Sequence, residues 1–187
     1  MKSTELKQIL EFLKNAEKLK DTIRSGYTSS GKQESVAEHT WRLCLMAMIF
    51  HGQYYPHLDF GKLMKMCLIH DLGEALNGDI PAPEQEGKPS KTEDERADLK
   101  TVLSPLPESL RKEIMDLWEE YESATSEEAR LAKALDKLET LIQHNQGRNP
   151  DGFDYAFNLN YGRQYTGFDE TMATLREIID EETQRKV

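Results

Sequence analysis

The chain has 187 residues, one domain on the usual scale of about 150 residues per domain. Hydrophobic residues make up 37% and charged residues 31%, and 24 basic against 34 acidic side chains leave a formal charge of −10. That balance excludes a protein that coats polymeric nucleic acid with its whole surface, which would carry the opposite sign, and the patterned apolar residues exclude a disordered chain. The longest apolar run, Leu43 to Phe50, falls far short of the ~20 residues that a membrane span needs, so no membrane partner is expected. The opening residues carry no apolar signal-peptide core. Cys44 and Cys67 sit inside apolar helical patterns and read as buried free thiols of a reducing compartment, so the expected location is the cytoplasm.

Helical periodicity dominates in chain order, and strand signals are nearly absent. Leu6, Ile9, Leu10, Leu13 and Ala16 make one amphipathic stripe. Residues 25–34, rich in Ser, Gly, Thr, Lys and Gln, read as a loop. A second helix is predicted over about Val36 to Tyr54. A third follows Asp59 as its N-cap. Asn77-Gly78, three prolines and a further glycine end regular structure over 77–90. Ser90 and Glu93 form a capping-box pattern for a fourth helix, which Pro105 and Pro107 stop. A fifth helix spans about Glu108 to Ser123, and Thr125 with Glu128 repeats the capping signal ahead of a sixth, ending near Asn145. Residues 147–168 are long for a structureless loop, so they are expected to lie over a site or hold a short helix. Asp169 caps a last helix. The expectation is an all-α, single-domain bundle of about six or seven helices over residues 1–187.

Two of these faces carry chemistry. Val36, His39, Leu43, Met46, Ala47 and Phe50 share one side of the second helix. Phe60, Leu63, Met64, Cys67, His70, Asp71 and Glu74 share one side of the third. Burying His, Asp and Glu together without partners costs several kcal/mol, and a divalent cation resolves the conflict by taking neutral imidazole and ionised carboxylate as ligands. On these residues alone, a metal centre and a hydrogen-bonded core pair stand about level.

Three blocks in order shift the balance: Glu-Ser-Val-Ala-Glu-His at Glu34 to His39, His70-Asp71-Leu72-Gly73-Glu74, and Gly78-Asp79-Ile80-Pro81, followed by Asp136. His39 and His70 are 31 residues apart, and Asp71 and Asp136 are 65 apart. This pattern resembles the HD-domain phosphohydrolases, and within them the 5'-deoxynucleotidase branch, over roughly Leu19 to His144 and through Leu117 to Glu122. The resemblance implies four metal ligands, His39, His70, Asp71 and Asp136. It also implies Arg24 as a phosphate clamp and Glu74 and Asp79 as catalytic carboxylates. The metal-site core then covers about 19–144, with a C-terminal loop and helix at 147–187.

The implied reaction is metal-assisted hydrolysis of deoxynucleoside 5'-monophosphates to deoxynucleoside and phosphate, by a homodimer whose partner is a small nucleotide. Two imidazoles and two carboxylates suit Mn, Fe, Co, Ni or Zn as the ion. HD proteins with two metals generally draw extra histidines from the interval between Asp71 and Asp136, and none of the five histidines here falls in it, so the resemblance implies one divalent transition metal ion. His51 and His57 read as solvent-side residues, and His144, two turns beyond Asp136, is a minor candidate for the same site. By periodicity Asp136 lies beside the stripe of Leu131, Leu135, Leu138 and Ile142, where it could equally pair with Lys133 or Lys137. Ser25 and Tyr27 flank Gly26 where the family often carries a tryptophan. Glu74 is followed by Ala75 rather than Asp, unlike the signalling-nucleotide hydrolases. The alternatives are another HD-type phosphomonoesterase or phosphodiesterase acting on nucleotides, and a non-catalytic regulatory module.

Overall fold

In the computed structural model, which describes residues 2–80 and 91–187, helix starts fall where a short polar side chain can take an orphan backbone amide. Ser35, Asp59, Ser126, Asp154 and Asp169 each accept from the amide three residues on. The helices are α1 (Lys2–Ala16), α2 (Val36–Tyr54), α3 (Phe60–Ile69), α4 (Glu74–Asn77), α5 (Lys91–Leu103), α6 (Glu108–Ser123), α7 (Glu127–Gln146), α8 (Tyr155–Asn158), α9 (Arg163–Thr166) and α10 (Glu170–Gln184). Three of them are four-residue turns, which leaves seven longer helices among the described residues, as expected. Two of the short ones, α8 and α9, occupy the segment 147–168.

Helix α7 is the axis. It buries residues on every side, including the polar Asp136, Glu139, Thr140, Gln143 and His144. Leu43, Leu63, Met66, Leu131, Leu135, Leu138 and Met172 pack around it into one core from α2, α3, α7 and α10. A second cluster joins Ile69, Leu72, Leu99, Leu103 and Trp118. The turn 70–73 therefore lies where the two clusters meet. No helix among the described residues is long and apolar enough to cross a membrane.

The structure departs from the sequence expectations in four places. Residues 25–34 are not simply a loop: Ile23–Tyr27 (β1) and Gln33–Ser35 (β2) pair as an antiparallel hairpin. Its strands are too short and polar to signal themselves, and they are ordered by docking on α7. Gln143 Nε2 donates to the Tyr27 carbonyl at 2.5 Å, and the Arg148 amide donates to the Thr28 carbonyl at 3.0 Å. The third helix does not run through Glu74 but ends at Ile69, because the chain turns at 70–73 before α4. The backbone of α5 sits on that turn: a Cβ at Gly73 would lie 3.1 Å from the Glu95 carbonyl oxygen and 3.3 Å from the Leu99 nitrogen. The cap of α7 is Ser126, not Thr125, whose hydroxyl bonds Ser123 instead. In α1 only part of the apolar stripe is used: Ile9 and Ala16, together with Phe12 from outside the stripe, pack on the second cluster, while Leu6, Leu10 and Leu13 stay exposed. Ser90 of the capping-box pattern and Pro81 of the Gly-Asp-Ile-Pro run lie outside the described residues.

Candidate metal centre

Four elements bring the site together. The capping box of Ser35 and Glu38 fixes the first turn of α2, and one turn further His39 points inward with no exposure. His70 stands at the end of α3, where Trp118 Nε1 donates to its carbonyl at 3.1 Å. Asp71 follows in the turn. Asp136 comes from the middle of α7 and is 3% exposed.

Donor atoms bound ~2.0–2.1 Å from one tetrahedral cation stand about 3.3 Å apart. Here His39 Nε2 lies 3.4 Å from His70 Nε2 and 3.2 Å from Asp136 Oδ1. His70 Nε2 lies 3.7 Å from Asp136 Oδ1 and 3.0 Å from Asp71 Oδ2. Asp71 Oδ2 is 3.9 Å from His39 Nε2. His39, His70 and Asp136 meet as one compact group of donors able to hold an ion.

The outer contacts decide which nitrogens face inward. His70 Nδ1 donates to the Cys67 carbonyl at 2.9 Å. His39 Nδ1 is bonded to the buried carboxylate of Glu139, which also accepts from Arg42 Nε at 2.6 Å. These contacts turn Nε2 of both imidazoles inward, where it is the lone-pair end of the neutral ring. His39 Nε2, His70 Nε2 and Asp136 Oδ1, with Asp71 Oδ2 beside His70, draw positive charge into the space between them, so this donor set fits a divalent cation. Burial and Arg24 oppose a charge on His39, yet Glu139 and Asp136 raise it. Burial opposes a charge on His70, yet Asp71 and Asp136 hold it well above the usual imidazole range. Asp136 goes the other way: burial would raise it, but Lys137 and the two imidazoles hold it well below the carboxylate range.

Asp136 is buried, and its two carboxylate oxygens divide between a lysine and the histidines. Its Oδ2 takes Lys137 Nζ at 2.8 Å and the Tyr121 hydroxyl at 2.7 Å, while Oδ1 faces the histidines. Lys133 pairs with Glu122 instead. A second group of donors, Glu34, His39 and Glu139, meets around the other nitrogen of His39, but it is already tied up by Arg24 and Arg42 and reads as support.

One cavity of about 450 Å³ opens on the cluster. Alternation along β1 turns Arg24 and Gly26 to the same face, toward α7. A Cβ at Gly26 would stand 3.2 Å from the Gln143 side chain and 3.3 Å from that of His144, so the strand lies close on the helix there. Arg24 then reaches Asp71 Oδ2 at 3.2 Å and Thr140 Oγ1 at 3.1 Å. Glu74 and Asp79 line the same cavity. Burial, then Asp71 and Asp79, push the Glu74 carboxyl up to about 9, and its buried Oε2 has no hydrogen-bond partner among the described residues.

His144 also lines this cavity but stands apart from the ligand group, bonded through Nδ1 to Asn158. His57 is exposed. His51 is half-buried rather than solvent-side, bonded to the Leu58 carbonyl at 3.0 Å. Sequence reasoning missed Glu139 and Thr140, and it gave Trp118 and Tyr121 no role beyond their place in the Leu117–Glu122 block. The one available signal was position: Glu139 and Thr140 lie one turn beyond Asp136 on α7, with polar character where the helix is otherwise apolar.

A family profile described as an HD domain matches residues 16–176. The chain is similar to human 5'-deoxynucleotidase HDDC2, at 34% identity over 158 residues covering 79% of this chain and 76% of the relative. It is similar to Dictyostelium discoideum 5'-deoxynucleotidase HDDC2, at 37% identity over 141 residues covering 72% of this chain and 74% of the relative. Its fold is similar to the crystal structure of a Magnetospirillum magnetotacticum protein described as a predicted metal-dependent phosphohydrolase, with a TM-score of 0.82 at 27% identity over 98% of this chain and 97% of that one.

Proposed function

The chain belongs to the HD domain family, and from that premise we propose that it is a metal-dependent 5'-deoxynucleotidase, hydrolysing deoxynucleoside 5'-monophosphates to deoxynucleoside and phosphate. The observation that carries this is the meeting of His39, His70 and Asp136, with Asp71 beside His70, at a cavity that Arg24 also lines. Those four side chains would hold one divalent ion, and their chemistry suits Mn²⁺, Fe²⁺, Co²⁺, Ni²⁺ or Zn²⁺. When bound, such an ion supplies Lewis acidity at the phosphoryl group.

The remaining work falls to the chain's own residues. Arg24 offers a planar, permanently charged fork to the phosphate oxygens, and Thr140 and Asp71 hold that fork in place. Hydrolysis adds water to phosphorus and breaks its bond to the 5'-oxygen, which takes up a proton to leave as the alcohol. Glu74 and Asp79 manage these protons. The raised Glu74 carboxyl keeps its proton at neutral pH, and Asp79 is near enough to contribute to that rise.

Phosphate release from the five common deoxynucleoside monophosphates and their ribose counterparts, with and without added Mn²⁺ or Co²⁺, tests the assignment. Metal-dependent release from the deoxy series supports it, and no release from any of them refutes it. The homodimer belongs to the same proposal. Trp41, Leu45 and Met48 form an exposed stripe at four- and three-residue steps along α2, with Leu68 of α3 also exposed; light scattering on wild type and Trp41→Asp tests it. The free thiols of Cys44 and Cys67 support the cytoplasm as the place of action.

A further inference from the structure

Besides Glu74 Oε2, one other buried side-chain atom lacks a hydrogen-bond partner among the described residues: Asn158 Nδ2. Asn158 ends α8, is 1% exposed and lines the same cavity. It is firmly held. Its Oδ1 meets His144 Nδ1 at 3.1 Å, and its backbone carbonyl accepts from Arg176 Nη2 at 2.9 Å. Buried polar groups in native proteins are almost always paired. Exchanging the amide oxygen and nitrogen would only leave an unpaired acceptor in place of the donor.

The place of its partner His144 along α7 suggests what it pairs with. Asp136, Thr140 and His144 follow each other at four-residue steps, on one face and about 6 Å apart. Asp136 faces the histidines, Thr140 holds Arg24, and His144 holds Asn158. Along the cavity the order is therefore ion, phosphate, and then whatever the phosphate is esterified to. The cavity walls are aromatic on this side. Phe153 stands edge-on to His144 with ring centres 4.8 Å apart, and Phe157 stands beside Tyr161, whose ring lies 5.5 Å from Lys137 Nζ and so reaches back toward the Asp136 end. Flat apolar rings suit a stacked heterocycle.

We propose that Asn158, oriented by His144, is the polar contact of a nucleoside subsite formed by Phe153, Phe157 and Tyr161, and that it hydrogen-bonds the sugar or base of the nucleoside 5'-monophosphate. This rests on the nucleotidase reading above. It makes the segment 153–161 a substrate-binding wall rather than a connector.

The test compares wild type, Asn158→Ala and the isosteric Asn158→Asp, using KM for a deoxynucleoside monophosphate and competitive inhibition by inorganic phosphate. Loss of one hydrogen bond should raise KM by about tenfold, while the inhibition constant for phosphate, which has no nucleoside, stays put. An unchanged KM overturns the proposal, since solvent then suffices as the partner of the amide. An equal rise in both constants also overturns it, placing Asn158 in the phosphate site or the fold. Failure of wild type to hydrolyse any deoxynucleotide is a different outcome, which removes the nucleotidase reading itself. Should both variants fail to fold, NMR spectra of the wild-type side-chain amides decide. Titrated thymidine should shift the Asn158 resonance, and a stationary resonance overturns the proposal.

Discussion

Glu139→Gln is the sharpest probe of how the centre is organised, because it touches no substrate and leaves side-chain volume almost unchanged. Glu139 is fully buried and bridges His39 Nδ1 and Arg42 Nε. Burial would raise its carboxyl, but His39, Arg42 and Arg24 hold it below the usual range, so it stays ionised. A glutamine must choose. With its oxygen toward His39, its amide hydrogens face the guanidinium of Arg42, donor against donor. With its amide toward His39, the imidazole must keep Nδ1 as acceptor, which moves the ring proton to Nε2 and removes the lone pair that faces His70 and Asp136. Either orientation weakens His39 as a ligand. Outer contacts of this kind are typically worth 10–100-fold in metal affinity, or about 1.4–2.7 kcal/mol. Titrating Mn²⁺ or Zn²⁺ into metal-stripped protein against an indicator dye measures the loss, with thermal melting in parallel. Wild-type affinity in a folded variant would refute the claim that Glu139 sets the tautomer of His39.

Three further changes separate chemistry from scaffold. Glu74→Gln should lower kcat by about 10²–10⁴ while metal affinity stays at wild-type level; loss of metal together with activity would make Glu74 a ligand instead. Ser35→Ala removes the cap of α2 and should cost about 1 kcal/mol, or ~2–4 °C in Tm for a chain of this size. Its metal affinity should hold, because Glu139 still orients His39. Gly147→Ala puts a Cβ 2.1 Å from the Tyr27 carbonyl oxygen and 2.9 Å from that of Gln143. Such overpacking should cost about 1–3 kcal/mol, and it should also weaken inhibition by inorganic phosphate, because β1 carries Arg24. A variant with unchanged melting and inhibition would show that the strand is not held there.

The fold was legible where a local rule and the core agreed. Apolar residues on one side of residues 36–54 sit against α7, and Asp59 and Asp169 cap the helices that follow them. It was illegible where tertiary contacts decide. Thr125 and Ser126 both satisfy the cap chemistry, and the structure uses the second, with the Thr125 hydroxyl turned to Ser123. The hairpin Ile23–Ser35 has no alternation worth reading, yet Gly26 lets it lie against α7, and from there it delivers Arg24. The expected helix through Glu74 shows why a pattern can mislead and still point the right way. The chain leaves α3 at Ile69, but His70 and Gly73 keep right-handed helical dihedrals. His70 and Asp71 therefore still end up beside His39, although the helix that seemed to carry them has stopped.

Asp136 marks the boundary of what periodicity can decide. A stripe analysis asks which side of a helix is apolar, and it treats a carboxylate at the edge as a surface group. Helix α7 has no free surface at that point: Tyr121 covers it on one side, the two histidines on the other, and Lys137 lies over the carboxylate. The cost of burying that charge is met by Lys137, its neighbour in sequence, and by partners from α6, α2 and the end of α3, which are not near in sequence. The Leu117–Glu122 block belongs to the same balance, since Tyr121 holds Asp136 and Trp118 holds the backbone of His70. What looks like a helix apart from the site is the part that keeps two donors facing one another, so a substitution such as Tyr121→Phe acts on the centre without contributing a ligand to it.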